Sequence, residues 1–330
     1  MSGRAATMHR VLFIRTDRLG ETLLNLPAVA ALKASLPQGT VTMLVQPELA
    51  PLLRAVPMVD DVLTWSGGTE DLWWWRALWL GGRLRRGGYQ AAIISNPKRE
   101  LHAAVWLAGI PRRVGYDRKW GDLLTHRLPD RKALGDRHEV DYNLDLIEAL
   151  GLPRAVPLWR WPAFEPEWAT VHPLLAAQGL APDRPLLLVH PWTSNPIKQW
   201  PLARFRRLMQ LAVERRPLQV VVVGGPEARA RVSEVWPGPG PVADLVGRID
   251  LRQLAALLQR ARLLVSNDSG PVHLAASLGT PTVVLFGTRG LAAGPRRWGP
   301  WGEGHSVISN SSLDAIGVED VWDVVQAKLG

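Results

Sequence analysis

Short apolar segments alternate with amphipathic segments along almost the whole 330-residue chain. The predicted strands are Val11–Arg15, Val41–Val45, Val62–Thr64, Ala91–Ser95, Arg113–Gly115, Leu186–His190, Gln219–Val223, Leu263–Ser266 and Thr282–Phe286. The predicted helices include Thr22–Leu36, Leu101–Leu107, Leu202–Arg215, Leu251–Gln259 and Val272–Leu278. Continuously apolar strands that alternate with helices are typical of parallel sheets with helices on both faces. The sequence therefore predicts an α/β protein with doubly wound sheets.

The chain is long enough for two domains of ordinary size. Residues 152–166 are rich in proline and tryptophan and lack periodicity, which is typical of a linker. We therefore expect two Rossmann-like domains, residues 1–160 and 161–330, with a cleft between them. In such sheets ligands bind outside the carboxyl ends of the strands.

Charge and composition narrow the possible partners. The formal net charge is +9, which favours anionic partners. Nucleic acid is not expected, because no helix-turn-helix, zinc-finger or RNA-binding motif accompanies the charge. Cysteine is absent, which excludes disulfides and cysteine-ligated metals. No signal-peptide core and no apolar run of about 18 residues is found, so we expect a cytoplasmic protein without a membrane span.

Residues 73–86 form a basic segment with interleaved tryptophans. Tryptophan and arginine both favour a membrane surface, so this segment could be a helix that lies on a bilayer. It could equally pack its aromatic side chains on a sheet and expose only the arginines. The sequence leaves both interpretations open.

A strand, a capped helix start and a second strand occupy residues 263–287. Asp268 or Ser269 can be the N-cap, and Pro271 suits the first helical turn. The helix would then begin at the end of a strand, with free backbone N–H groups near Gly270 and the positive end of its dipole directed outward. Such a start suits a diphosphate. An ordinary βαβ connection would have the same pattern.

Two further segments follow predicted strands of the second half. After the first, the hydroxyls of Thr193 and Ser194 and the cation of Lys198 fit phosphate recognition, although no Walker loop is present. After the second, Gly224–Gly225 allows a ligand to approach the backbone, and Glu227 can accept hydrogen bonds from a ribose. A Gly-Gly pair alone is weak support.

Acidic residues follow the first predicted strand. Gly20 permits a close turn, and the carboxylate of Asp17 or Glu21 could act as a general base. Acids at a helix start also simply complement the helix dipole, so both interpretations stay open. No cluster with metal-ligand spacing and no Asp-x-Asp pair is found, so we expect neither a metal nor a cofactor.

Taken together, these motifs resemble the bacterial heptosyltransferases of glycosyltransferase family 9, and the resemblance covers nearly the whole chain. The segments that carry it are Arg15–Glu21, His138–Leu146, His190–Pro201, Gly224–Glu227, Asn267–Ala276 and Arg296–Pro300. The resemblance implies a GT-B fold, with two Rossmann-like domains facing across a cleft. It further implies an inverting, metal-independent transfer of heptose from ADP-heptose to the lipopolysaccharide inner core.

The resemblance also implies roles for individual residues. Donor phosphates would be bound by Thr193, Ser194, Lys198, Ser269, Gly270 and His273. Glu227 would contact the ribose, Ile249 the adenine, and Asp268 the sugar hydroxyls or its own loop. The family's base is usually the aspartate of a Gly-Asp pair. This chain has Glu21 there, one methylene longer, and Asp17 is the alternative base.

The acceptor would be an anionic glycolipid at the membrane surface. Basic residues of the first half would bind it: Arg99, Arg112, Arg113, Arg118, Lys119, Arg131 and Lys132. Such a transferase would work in the cytoplasm, peripherally at the inner face of the inner membrane. Two alternatives remain at this stage: a GT-B enzyme with another nucleotide-sugar donor, and an inactive nucleotide-sugar-binding homologue.

Overall fold

The computed structural model describes residues 8–68, 72–181, 184–216, 218–236, 240–287 and 290–329. The chain divides into two compact units. Unit 1 consists of Met1–Ala133 and Glu139–Pro162, and unit 2 consists of Leu134–His138 and Ala163–Gly330. The short segment Leu134–His138 therefore belongs to unit 2, although the helix that follows it belongs to unit 1.

Unit 1 is built on a six-stranded parallel sheet with the order β3-β2-β1-β4-β5-β6. Its strands are β1 Arg10–Ile14, β2 Thr40–Val45, β3 Asp61–Thr64, β4 Ala91–Ile94, β5 Arg112–Tyr116 and β6 His126–Leu128. Its helices are α1 Leu19–Leu23, α2 Leu26–Ala34, α3 Ala50–Leu53, α4 Trp73–Arg85, α5 Arg99–Leu107 and α6 Glu139–Glu148.

Unit 2 is built on a second six-stranded parallel sheet, with the order β12-β11-β10-β7-β8-β9. Its strands are β7 Leu186–His190, β8 Gln219–Val222, β9 Val242–Asp244, β10 Ala261–Asn267, β11 Thr282–Gly287 and β12 Ser306–Asn310. Its helices are α7 Glu165–Ala176, α8 Leu202–Arg215, α9 Val232–Val235, α10 Leu251–Arg260, α11 Gly270–Leu278, α12 Pro295–Trp298 and α13 Val318–Leu329. Read from β9, this order repeats the topology of unit 1.

The predicted α/β class with doubly wound parallel sheets is confirmed. The central strands are buried along nearly their whole length, as their continuous apolar sequences require. In unit 1, Ile14 of β1 pairs with Leu44 of β2 on one side and with Ile94 of β4 on the other.

The prediction of one helix over residues 22–36 is wrong. The chain instead forms α1 and α2, with Pro27 in the first turn of α2. Proline has no N–H to continue a helix but fits its first turn. Residues 26–32 of α2 are all buried, so this helix is enclosed and not amphipathic. The predicted linker also ends earlier than expected, because α7 begins at Glu165.

Candidate functional site

The strand order gives each sheet one point at which the chain reverses its direction of winding. In unit 1 this point lies between β1 and β4, and in unit 2 it lies between β7 and β10. The loops that leave the two strands diverge there, and ligands of open α/β sheets bind in the resulting crevice. Most of the predicted site residues belong to the loops at these two points.

In unit 1, Asp17 follows β1 and is held from three directions. Arg15 Nη2 lies 3.2 Å from Asp17 Oδ2. Asn96 Nδ2 donates to Asp17 Oδ1 at 3.1 Å, and Lys98 Nζ lies 3.5 Å from the same oxygen. Lys98 also donates to the Thr16 hydroxyl at 3.2 Å. Both carboxylate oxygens of Asp17 therefore have cationic or amide partners.

Behind Asp17 lies a buried network of charged side chains. Glu139 Oε1 accepts a hydrogen bond from Lys132 Nζ at 2.6 Å and lies 3.8 Å from Arg15 Nη1. The Lys132 ammonium lies 4.5 Å from the centre of the Tyr116 ring. Arg15 contacts both Glu139 and Asp17. The buried network therefore fixes the Arg15 guanidinium, which in turn orients the Asp17 carboxylate.

Glu21 differs from Asp17 in its surroundings. It is half-buried in α1, and its backbone carbonyl accepts a hydrogen bond from Asn25 Nδ2 at 2.6 Å. Within the described residues its carboxylate has neither a hydrogen bond nor an ion pair. Of the two candidate bases, Glu21 is therefore the one whose oxygens are free to accept a proton from a substrate hydroxyl.

In unit 2, an ion pair joins the two loops that diverge at the winding reversal. Lys198 Nζ lies 2.5 Å from Asp268 Oδ2. Lys198 follows β7 and Asp268 follows β10, so the ion pair joins the two diverging loops. Burial raises the pKa of Asp268 above its usual value, and the Lys198 ammonium opposes that rise. The Lys198 side chain is 39% exposed, whereas that of Asp268 is 10% exposed.

Helix α11 begins at Gly270, directly after Asp268 and Ser269. Ser269 occupies the N-cap position, but its hydroxyl makes no capping bond to the helix. The hydroxyl instead lies 2.9 Å from Ser266 Oγ and 3.2 Å from His190 Nδ1. The first backbone N–H groups of α11 are thus left without a side-chain cap, as an anion-binding helix start requires.

Two buried histidines near this helix start are neutral at pH 7. Burial lowers the pKa of His190 to about 4 and that of His273 to about 3. The positive charge of Lys198 and the proximity of His138 lower the pKa of His273 further. The Nδ1 atom of His273 is buried without a hydrogen-bond partner among the described residues. His273 can therefore offer a hydrogen bond to a ligand, but no positive charge.

The loop after β7 is attached to the end of β10 by Asn267. Its side chain accepts from the Trp200 N–H at 2.8 Å and donates to the Pro191 carbonyl at 2.8 Å. Within the loop, Thr193 Oγ1 accepts from the Asn195 N–H at 2.9 Å and so closes a local turn. Ser194 is exposed.

The loop after β8 carries the predicted ribose contact. Glu227 is exposed, and its carboxylate folds back over Gly225, where an added Cβ would lie 2.3 Å from Oε2. Trp192 packs over Gly224, with Cε3 only 2.8 Å from the position of an added Cβ. Ile249 is half-buried just before the start of α10. No described contact joins Glu227 or Ile249 to the ion pair at the winding reversal.

Two of the residues predicted to bind the acceptor make contacts within their own unit. Arg113 donates from Nε to the Leu123 carbonyl at 2.6 Å and from Nη1 to the Ile110 carbonyl at 2.7 Å, so it fastens a loop of its own unit. Lys132 is buried against Glu139. Of the other predicted acceptor residues, Arg112 is half-buried, and the exposed ones are Arg99, Arg118, Lys119 and Arg131.

Sequence reasoning also missed Asn96 and Lys98, which hold Asp17. Their position directly after the predicted strand 91–95 was the available signal. Across the described residues, no group of three His, Cys, Asp or Glu side chains could hold a metal ion. In the same part of the chain, no α-helix has the length and apolar composition needed to cross a bilayer.

Comparison with known proteins adds to this geometry. Residues 77–318 match the model of glycosyltransferase family 9 (heptosyltransferase). The chain is 27% identical to lipopolysaccharide heptosyltransferase 3 of Escherichia coli K12 over 299 residues, which cover 86% of this chain and 83% of that protein.

Two solved structures share the fold. A glycosyltransferase family 9 protein from Veillonella parvula superposes with a TM-score of 0.86 at 20% identity, covering 97% of both chains. The E. coli heptosyltransferase WaaC, solved with ADP, superposes with a TM-score of 0.73 at 20% identity, covering 97% of this chain and 99% of that one.

Proposed function

Because the chain belongs to glycosyltransferase family 9, the heptosyltransferase family, we propose that it transfers heptose from ADP-heptose to an inner-core acceptor of lipopolysaccharide. Unit 2 binds the nucleotide sugar in this proposal, and unit 1 provides the base and the acceptor-binding residues. The proposed location is the cytoplasm, at the inner face of the inner membrane.

The observation that carries the donor assignment is the Lys198–Asp268 pair beside the uncapped start of α11. A diphosphate at this helix start meets free N–H groups, the helix dipole and a half-exposed ammonium. These groups stabilise the negative charge that develops on the leaving diphosphate, and the proposed mechanism needs no metal for that purpose. His273 would add a hydrogen bond, and Ser269 and Gly270 would add backbone N–H donors. Thr193 and Ser194 belong to the loop that carries Lys198.

The proposed reaction is a single inverting displacement. The base removes the proton of the acceptor hydroxyl while that oxygen attacks the anomeric carbon and ADP leaves. Glu21 is our proposed base, because its carboxylate is unpaired among the described residues while both oxygens of Asp17 are engaged. Asp17 is proposed to position Arg15 and Lys98. Glu227 and Ile249 are proposed to contact the ribose and the adenine.

The test is transfer by the purified protein to a heptose-deficient lipopolysaccharide, followed by mass spectrometry of the acceptor and by ADP release. Glu21→Gln should lower kcat by about 10²- to 10⁴-fold, the usual contribution of a general base. Full activity of Glu21→Gln with loss in Asp17→Asn would move the base to Asp17. Full activity of both variants would refute the catalytic assignment.

The donor is tested separately by calorimetry with ADP, UDP and GDP. We expect ADP to bind most tightly, and a clear preference for UDP would overturn the heptose assignment. Transfer should persist after treatment with EDTA, and a loss restored by added metal would contradict the metal-independent mechanism. Tight ADP binding without any transfer would identify an inactive homologue.

A further inference from the structure

Helix α4 is apolar on two opposite sides. One side packs into the core of unit 1 through Ala77, Leu80, Gly81 and Leu84, which follow helical spacing. The other side carries the exposed residues Trp74, Trp75, Leu78 and Trp79, here called the tryptophan face; each is between 49% and 58% exposed. Exposed apolar patches of this kind on a soluble protein mark interaction surfaces.

The tryptophan face is a single surface. At about 100° per residue, its four side chains occupy one arc of the helix, opposite the buried arc. The Trp74 and Trp75 rings meet edge to face at 5.7 Å. Trp79 stacks at 5.7 Å on Trp65, which is buried. The Trp79 ring is thus supported by a buried ring, and the three indoles remain about half exposed.

The charges that α4 itself carries have one sign. Helix α4 contains no acidic residue, and Arg85 and Arg86 at its end are exposed on the same arc. Within the described residues Arg85 and Arg86 form no ion pair. Arg76 is engaged with Glu100, at 3.1 Å. The two exposed guanidinium groups are therefore available to a negatively charged partner.

We propose that the tryptophan face, together with Arg85 and Arg86, is the surface by which this protein binds an anionic lipid bilayer. Tryptophan rings favour the headgroup level of a membrane, and adjacent arginines attract anionic lipids. A helix so placed lies in the plane of the interface, with its apolar side chains inserted below the headgroups. This inference rests on the location given in the proposed function and deepens it, because it names the surface that binds the membrane.

Gly82 provides the sharpest test, because it lies on the exposed arc and an added Cβ would meet no atom within 4 Å. Gly82→Glu and Gly82→Lys are a matched pair of similar length and opposite charge, and both residues form helices better than glycine. We expect Gly82→Lys to bind vesicles of phosphatidylglycerol and phosphatidylcholine about thirtyfold more tightly than Gly82→Glu. Equal affinities, measured by vesicle sedimentation, would overturn the proposal.

A second set of variants separates the aromatic contribution from the charges. The triple variant W74S/W75S/W79S should bind these vesicles about a hundredfold more weakly. R85S/R86S should bind the vesicles at least about tenfold more weakly than the unaltered protein. R206S/R207S, on α8 of unit 2, removes the same formal charge and should have little effect on vesicle binding. Unchanged binding in the triple variant, or an equal loss in R206S/R207S, would contradict the proposed surface.

Two controls complete the experiment. Transfer to a delipidated, water-soluble acceptor should be unchanged in W74S/W75S/W79S, so failure of membrane binding is distinguished from failure of the proposed chemistry. Sedimentation velocity tests whether a second copy of the chain covers this face. The unaltered protein could self-associate without binding vesicles, and the triple variant could abolish that self-association. This pair of results would overturn the bilayer proposal and identify the tryptophan face as a dimer interface.

Discussion

Glu139 is the buried carboxylate that faces two buried cations of unit 1. Its side chain is 1% exposed, and it faces Lys132 at 2.6 Å and Arg15 at 3.8 Å. Glu139→Gln keeps the volume but removes the negative charge that faces Lys132 and Arg15, although Arg15 keeps its ion pair with Asp17. Breaking a buried ion pair in this way costs about 3–5 kcal/mol. We expect the free energy of unfolding of unit 1 to fall by that amount.

The matched control is Glu319→Gln. Glu319 pairs with Arg215 at 3.2 Å, but both side chains are largely exposed, so this change should cost about 0–1 kcal/mol. The assay is urea unfolding followed by tryptophan fluorescence and circular dichroism. Adding Lys132→Met to Glu139→Gln removes the buried cation that faces position 139 and should recover part of the loss. If Glu139→Gln lowered the free energy of unfolding no more than Glu319→Gln, the buried network would not stabilise unit 1 as its distances indicate.

Three other results are expected. Gly224→Ala should lower the free energy of unfolding, measured in urea, by about 1–3 kcal/mol, because its methyl group would overlap the buried indole ring of Trp192. Gly82→Ala should raise the free energy of unfolding by up to about 1 kcal/mol, because its position in the helix is open. Burial lowers the pKa of His190 from its ordinary value of 6.5 to about 4, so the unfolded chain binds a proton there more readily than the folded chain. The free energy of unfolding should therefore fall as the pH drops from 6.5 to 4, and it should fall less steeply in His190→Asn. Lys198→Met should weaken ADP binding about 10- to 100-fold, as measured by calorimetry, because it removes the ammonium beside the start of α11.

The strands that sequence reasoning missed are all at the edges of sheets. β6, β9 and β12 are short or largely exposed, and each pairs on one side only. An edge strand needs no continuous apolar sequence, because solvent covers part of its surface. Most of the other strands are recognisable because burial between helices leaves a continuous apolar run. Two strands depart from this pattern: β9 is buried but only three residues long, and β3 was predicted although it lies at an edge and is largely not buried. The sequence signal therefore depends on the length of the apolar run as well as on burial.

The candidate site was predictable to a similar extent. Lys198 was predicted to bind phosphate because it follows a buried strand, whereas the predicted ligand role of Asp268 came from the family resemblance. Their pairing across 70 positions in the chain depends on the adjacency of β7 and β10, which no local pattern records. The partners of Asp17 were missed for the same reason, since Asn96 and Lys98 come from a loop about 80 residues away.

The two sheets share one topology, and each places a lysine–aspartate pair at its winding reversal. In unit 1 the aspartate follows the first strand and the lysine the fourth, whereas unit 2 has the reverse order. The local balance of charge then separates their proposed roles. Asp17 has two cations around it, so its carboxylate is occupied and Glu21 is left to accept a proton. Among the described residues Lys198 has one carboxylate partner, Asp268, and burial raises the pKa of that carboxylate; a bound diphosphate would compete with Asp268 for the Lys198 ammonium.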